Sequence, residues 1–262
     1  MICAVFSGND IASKNIAEHI VRKYGFDEVD GNYVNGNIEI REYGGQLTEL
    51  SISEGRFDAA YMLSMHRSAA GVGALTTHST GNFTLEAKLG GKPRSLSISS
   101  PLRMLAVLRR LWSENAGIEK SYEATHHGPL LEIPSLFVEL GGNDEAINNK
   151  ALAGAVGDAV YSGMSEGDIE YEKAVIGIGG GHYLRKFTRI AVEKGYAFGH
   201  IMPRYSFFNY DGTDNFSMIG SAAERSDIEI DAAVIEKKGV SSAEREAIIK
   251  ELDRLGMEYE MV

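Results

Sequence analysis

The sequence has little of several things, and each shortage excludes something. Its 262 residues include a single cysteine, Cys3. No internal disulfide can form and no cysteine pair is available to hold a metal, so a reducing cytoplasm is the simplest expected compartment. Within the apolar run Ile2–Phe6 that thiol reads as a small core residue, not as a nucleophile. Only 5 prolines occur, and none sits in a Pro-rich linker. No stretch approaches the roughly 20 uncharged apolar residues needed to cross a bilayer. The opening Met1-Ile2-Cys3 lacks the basic segment of a signal peptide and reads as a buried strand. Basic residues are outnumbered, 26 against 37 acidic ones, for a net charge of −11. Such a chain does not coat nucleic acid, because phosphate binding draws on Lys and Arg displacing counterions. A local basic patch that grips one end of an RNA is still compatible with that charge. Also missing are a His-Glu-x-x-His helix and a Gly-x-Ser-x-Gly elbow, the usual zinc-protease and serine-hydrolase signatures.

What is present is alternation. Strand-length apolar runs lie at Ile2–Phe6, Ala59–Met65, Ser95–Ser99, Tyr122–Thr125, Ser135–Leu140, Ala174–Ile178, Phe198–Met202 and Ala232–Ile235. The runs Glu28–Val34 and Asn37–Tyr43 meet at Asn35-Gly36, a two-residue hairpin signal. Helical periodicity fills the intervals at Ala12–Tyr24, Pro101–Asn115, Asp144–Ser162 and Leu184–Lys194. Ser100 with Pro101 announces the second of these, and Gly195 closes the fourth. Ser241 and Glu244 form a capping box for a last helix that ends at Gly256. Strands interleaved with helices predict an α/β fold, a mixed, mostly parallel sheet with helices on both faces. Residues 1–262 read as one three-layer domain with room for a smaller lobe, and residues 204–227 as an irregular excursion.

Chemistry gathers at histidines near strand ends, where open α/β sheets collect their ligands. Thr125-His126-His127-Gly128-Pro129 follows a strand. One exposed and one core histidine would be the bland reading, but two imidazoles there are costly to bury and useful as bases or ligands. Gly179-Gly180-Gly181-His182 joins a strand to the helix near Leu184, and is either a tight turn or a place where substrate meets backbone N–H groups. It is not the dinucleotide fingerprint, since His182 stands where the third glycine belongs. Arg185, Lys186 and Arg189 follow it as a small candidate phosphate patch. His66-Arg67-Ser68 follows another strand, and Thr76-Thr77-His78-Ser79-Thr80 reads as a hydroxyl-rich loop able to fix an imidazole tautomer. Glu139, in the otherwise apolar run Phe137–Leu140, needs a cation, metal or histidine as partner. His200 is as easily structural as catalytic, and Arg103, Arg109 and Arg110 read as a solvated helix face.

Several of these motifs in this order resemble the archaeal and plant type of D-aminoacyl-tRNA deacylase. The resemblance rests on Ala124–Pro129, Phe137–Gly141, Gly179–Tyr183 and Gly199–Pro203, with weaker agreement at Ser7–Ile16, His66–Ser68, His78–Asn82 and Lys238-Gly239. It implies hydrolysis of the ester of D-aminoacyl-tRNA, releasing D-amino acid and tRNA. It also implies zinc, and a three-layer fold similar to nucleoside phosphorylases and peptidyl-tRNA hydrolases. The expected partner is the tRNA acceptor end carrying a D-amino acid, with no membrane and no protein partner. On this basis His126, His127, His182 and Glu139 are the candidate catalytic centre, and the three histidines are the candidate metal ligands. His66, Arg67, His78, Gly179, Gly180, Gly181 and Lys186 are the candidate substrate contacts. The chain departs from the family at Lys237, where an aromatic is usual, and across Ser206–Asn215. Two other readings of the residues are a zinc-dependent amidase or esterase on small substrates and a non-catalytic RNA- or nucleotide-binding module.

Overall fold

The structure, a computed structural model, describes residues 1–52, 55–66, 73–114 and 117–262. In chain order the strands begin with β1 (Ile2–Phe6), β2 (Asp27–Val29), β3 (Asn32–Asn35), β4 (Ile38–Glu42), β5 (Ala59–His66) and β6 (Ala74–His78). They continue with β7 (Gly81–Asn82), β8 (Ser95–Leu96), β9 (Glu119–Tyr122), β10 (Ser135–Gly141) and β11 (Lys173–Ile178). The last are β12 (Tyr196–Met202), β13 (Ala232–Ile235) and β14 (Glu258–Met261). The helices are α1 (Ile11–Tyr24), α2 (Pro101–Ser113), α3 (Asp144–Ile147), α4 (Lys150–Ser165), α5 (Arg185–Lys194), α6 (Met218–Glu224) and α7 (Ser242–Leu255). None is long and apolar enough to cross a membrane among the described residues.

The expected mixed, mostly parallel architecture is present, divided between two principal sheets. Eight strands pair in the order β2-β3-β4-β1-β5-β10-β6-β9, and four parallel strands in the order β12-β11-β13-β14. Strands β4, β1, β5 and β10 run parallel, while β6 opposes β10. Residues just after β9 stitch the sheets together. Glu123 N–H donates to Thr77 O on the large sheet, and Thr125 N–H to Ile201 O on the small one. One core runs beneath both sheets, joining Leu63, Leu136 and Val138 of the large sheet to Val175, Phe198 and Val234 of the small. Helices α1, α2 and α4 close it, and α2 reaches from β6 across to β12. On the opposite side α6 and α7 cover the small sheet through Ile219, Ile248 and Leu252. Loops carrying Leu47, Leu50 and Leu131 cover part of the large sheet there. The result is the expected three layers, with a helical layer, a layer of sheet, and a layer of helices and loops.

Local chemistry accounts for most boundaries. The Asn35-Gly36 hairpin forms as expected, with Asn35 opposite Ile38, but a second turn at Asp30-Gly31, both at positive φ, divides its first arm. Ser241 and Glu244 make the reciprocal capping box, and Gly195 and Gly256 close their helices in the left-handed region. Ser100 stands at the N-cap of α2, yet its hydroxyl donates to Asp227 at 2.6 Å instead of capping. The expected helix over Asp144–Ser162 is broken. Asn149 accepts N–H bonds from Ala151 and Leu152 and so restarts the chain as α4. The short β8 replaces the longer strand expected at Ser95–Ser99, and β14 completes a sheet edge that apolar patterning misses, because Glu258-Tyr259-Glu260 is largely polar. Thr76-Thr77-His78, read as loop, is the buried strand β6; its threonines are β-branched and fit a pleated surface.

Candidate active site

Side chains alternate across a strand, and that period selects one polar stripe on the large sheet. On β5, β10 and β6, residues Leu63, Leu136, Val138, Leu140 and Leu75 face the helix-covered core. The intervening positions carry Ser64 and His66, Phe137 and Glu139, Thr76 and His78. Register aligns them, with Glu139 between Ser64 and Thr76, Phe137 opposite His78, and Gly141 beside His66. The site therefore sits on a sheet face at the seam between the two sheets, not only in the loops beyond strand ends.

The seam supplies the other half. Glu123 follows β9, and His126 and His127 come three and four residues later. His182 arrives from the loop after β11, held because Ala124 N–H donates to His182 O at 2.9 Å. Five histidines thus surround two carboxylates. Glu139 Oε2 lies 3.3 Å from His66 Nδ1 and 3.8 Å from His78 Nε2. Glu123 Oε2 lies 3.0 Å from His182 Nε2 and 3.8 Å from both His66 Nδ1 and His126 Nε2. The rings of His78 and His126 are 4.2 Å apart, as are those of His126 and His127.

Glu123 is the residue that sequence patterning misses. It is buried, and among the described residues neither of its carboxylate oxygens makes a hydrogen bond, although His182 Nε2 approaches to 3.0 Å. Glu139 Oε2 and His78 Nε2 are likewise buried without a hydrogen bond among the described residues, though they lie within ion-pair distance of each other. Such orphaned atoms are rare in folded proteins because each forfeits its hydration. The available signal was a lone acid one position before Ala124-Thr125-His126.

Backbone carbonyls set the tautomers. His126 Nδ1 lies 2.8 Å from Ala124 O, His127 Nδ1 2.6 Å from Gly128 O, and His78 Nδ1 3.0 Å from Ser79 O. A carbonyl oxygen can only accept, so each Nδ1 carries a proton and, in the neutral ring, Nε2 is left as a free lone pair. His127 holds this geometry at a positive φ of 43°, a conformation few non-glycine residues adopt. Burial pushes His126 well below its ordinary value and His127 down to about 4, with neighbouring histidines adding to the effect. His66 moves the other way, up to about 8, through its contact with Glu139. For Glu139, burial opposes ionisation, but His66 and His78 outweigh it and hold the carboxyl below the usual range.

The donor set suits a zinc ion, which takes imidazole nitrogen and carboxylate oxygen. Among the described residues, three groups place one ligand atom per residue within 4.8 Å of one another. These are His78, His126 and His127; His66, Glu123 and His182; and His78, Glu123 and Glu139. His126 and His127 therefore group with His78, whereas His182 groups with His66 and Glu123, a different division from the trio His126, His127 and His182.

Other expected residues fall into place around this centre. His200 is fully buried inside β12, 3.0 Å from Ser97 O and 3.2 Å from Thr125 Oγ1. Arg67, with Ser68, lies outside the described residues. Of the glycines, Gly179 donates its N–H to Met202 O, and a Cβ on Gly180 would stand 2.7 Å from Glu236 Oε2. Both pack against the protein, while Gly181 faces open space. Gly180, Gly181 and His182 line a cavity of about 650 Å³ with Lys186 and Arg204. Arg185 is held by Glu119 at 2.6 and 2.8 Å, and Arg189 lies 3.8 Å from Glu193. On the other side of the cluster, His126 and His127 line a second cavity of about 330 Å³. Arg103 pairs with Asp227 and Arg110 with Glu114, in keeping with an ordinary helix surface.

Residues 53–260 match the family model described as D-aminoacyl-tRNA deacylase. A D-aminoacyl-tRNA deacylase of Thermoplasma acidophilum is 33% identical over 97% of each chain. One from Ignicoccus hospitalis is 33% identical over 100% of this chain and 99% of its own, and one from Desulfurococcus amylolyticus 35% identical over 94% of each. A solved crystal structure of a conserved protein of unknown function superposes with a TM-score of 0.87 at 26% identity, covering 100% of this chain and 95% of the other. With the match spanning both the polar stripe and the seam, the chain belongs to the D-aminoacyl-tRNA deacylase family.

Proposed function

We infer that this protein is a cytoplasmic hydrolase that cleaves the ester joining a D-amino acid to tRNA. Similarity to D-aminoacyl-tRNA deacylases along essentially the whole chain carries the reading. The histidine–carboxylate cluster supplies its place. An aminoacyl ester is already activated, so hydrolysis needs a positioned water, a polarised carbonyl and a stabilised oxyanion. His126 is kept neutral by burial and presents a free Nε2, which suits it to take a proton from water. His127 offers the same lone pair beside it. Protonated His66, anchored by Glu139, places positive charge where the carbonyl oxygen becomes negative. Glu123 Oε2, 3.0 Å from His182 Nε2 and 3.8 Å from His66 Nδ1, is within reach of both rings.

The same orphaned atoms fit a zinc ion, held by His78, His126 and His127 or by His66, Glu123 and His182. When bound, zinc would supply Lewis-acid polarisation of the ester carbonyl and charge against the developing oxyanion. On the His182 side, Lys186 and Gly181 line the cavity that would meet the phosphates of the acceptor end. A grip confined to that end reconciles RNA binding with a net charge of −11.

The test is deacylation of D-tyrosyl-tRNA and L-tyrosyl-tRNA by wild type, His126→Ala and Glu123→Gln, with chelator and with zinc restored. The expected result is selective hydrolysis of the D-ester, lost in both variants and in chelator, and recovered on zinc addition to wild type. Equal rates on both enantiomers, or near-normal rates in both variants, would overturn the reading.

A further inference from the structure

We propose that the open cavity beside His126 and His127 is a stacking shelf for the unpaired 3′-terminal nucleotides of tRNA, built by Tyr205, Phe208 and Tyr210. This rests on the proposed deacylase function and deepens it by naming where the nucleobases lie. Eleven large apolar side chains are exposed among the described residues, and four of them, Leu89, Tyr205, Phe208 and Tyr210, line this one cavity. Tyr210 is 82% exposed and Tyr205 57%, values that a soluble surface tolerates for single residues but that in a contiguous group mark an interaction site.

The shelf is pre-organised. Between its aromatics, Asn209 and Asn215 exchange reciprocal side-chain amide bonds of 3.0 Å and are both buried. Asn215 also donates to Ser206 O and accepts from Arg94. Asn209 Oδ1 accepts the N–H of Leu85 at 2.9 Å, tying the loop to the facing lip. Phe207 and Phe216 pack inward, 5.4 Å between ring centroids, and Phe216 braces the half-exposed Phe208 edge-on at 5.7 Å, while Tyr205 and Tyr210 are the more open rings. A rigid loop with outward rings costs little ordering when a flat ligand stacks on it.

Two features choose a nucleobase over the amino-acid side chain as occupant. Tyr210 is open over most of its surface and Tyr205 and Phe208 over about half of theirs, whereas a side-chain pocket would enclose its ligand. All substrates of such an enzyme also share the same unpaired 3′ end, while the amino acid varies. Stacking on exposed aromatics is how proteins hold unpaired bases whatever their sequence. Because the ester hangs from the terminal ribose, bases on this shelf would bring it to His126 and His127 at the other end of the same cavity.

The test uses uncharged tRNA, so neither turnover nor an amino acid enters. Dissociation constants are measured for intact tRNA and for tRNA lacking its three terminal nucleotides, on wild type, Phe208→Ala/Tyr210→Ala and Phe208→Tyr. Wild type is expected to prefer intact tRNA by about 5- to 100-fold, the double variant to lose most of that preference, and Phe208→Tyr to keep it. An equal affinity of wild type for both RNAs overturns the shelf, as does a preference undiminished in the double variant. So does a double variant that loses affinity equally for both RNAs, or whose defect appears only with charged tRNA, since the rings would then read another part of the RNA or the amino acid. A protein that binds as expected but hydrolyses no D-aminoacyl ester would sink the proposed reaction and leave the shelf standing.

Discussion

Two clusters in this molecule combine histidine with carboxylate, and they differ in how well their polar atoms are satisfied. Where α1 packs on α4, Asp158 accepts from His19 at 2.7 Å, Lys23 at 2.6 Å and Tyr24 at 3.0 Å, with Tyr24 stacked on Tyr161. Both oxygens of Asp158 are engaged. At the seam of the sheets, five histidines face Glu123 and Glu139, and among the described residues both oxygens of Glu123, Oε2 of Glu139 and Nε2 of His78 have no hydrogen-bond partner. The first arrangement ties two helices together. The second keeps polar atoms buried and unpaired, a state that stability alone does not maintain and that a substrate or metal would relieve. Residue type does not separate the two clusters; hydrogen-bond satisfaction does.

The largest effect should separate them by activity. His126→Ala and Glu123→Gln should each slow hydrolysis of D-aminoacyl-tRNA by about 100-fold or more in single-turnover assays, whereas Asp158→Asn should stay close to wild type. A folded Asp158→Asn protein as inactive as the other two would erase the distinction. Zinc affinity comes next. His78→Ala should weaken it by at least about 10-fold in competition with a chromophoric chelator, and Asp158→Asn should not change it. Unaltered affinity in His78→Ala would place any metal outside the groups that contain His78.

Stability should run the opposite way. Asp158→Ala strands His19 and Lys23 and should cost about 1–3 kcal/mol, which lowers Tm by roughly 2–4 °C per kcal/mol in a chain of this size. Glu123→Gln, in protein stripped of metal, replaces a buried carboxyl group that makes no hydrogen bond among the described residues, and should leave Tm equal or higher. Calorimetry on the two variants decides it, and an equal fall in both would mean that Glu123 is as well satisfied as Asp158. The smallest effect is on acid stability. Burial opposes ionisation of Asp158, but its bonds from Lys23, His19 and Tyr24 prevail and hold the carboxyl below its ordinary value. A lowered folded-state value means the stabilisation is complete above the unfolded-state value and is lost as pH falls through the folded one. The Tm gap between wild type and Asp158→Asn should therefore narrow on acidification below about pH 4; a constant gap would show that charge is not what Asp158 contributes.

Legibility followed the range of the interaction involved. The capping box at Ser241–Glu244 and the Asn35-Gly36 turn are made by residues a few positions apart, and both formed as expected. The Asn149 break between α3 and α4 is equally local but was hidden by an alanine-rich run that reads as one helix. His78 stands out in the sequence as a candidate site residue, but its setting does not, because Thr76-Thr77 reads as a polar loop while both threonines pair with β10. Glu123 was not picked out at all, since nothing adjacent in sequence distinguishes it from an exposed acid at a strand end.

By itself, then, the sequence determined the alternation of strands and helices, the helix ends marked by Gly195, Ser241 and Gly256, the histidine-bearing motifs and the family resemblance, because periodicity and capping are short-range and motifs survive as strings. Only the tertiary structure decided that the strands divide into two sheets joined at Glu123–Thr125. It also decided that His200 is core, that His182 sits with His66 and Glu123, and that the aromatics of residues 205–210 open onto His126 and His127. Those facts depend on desolvation and on contacts between residues tens of positions apart, which no local pattern encodes.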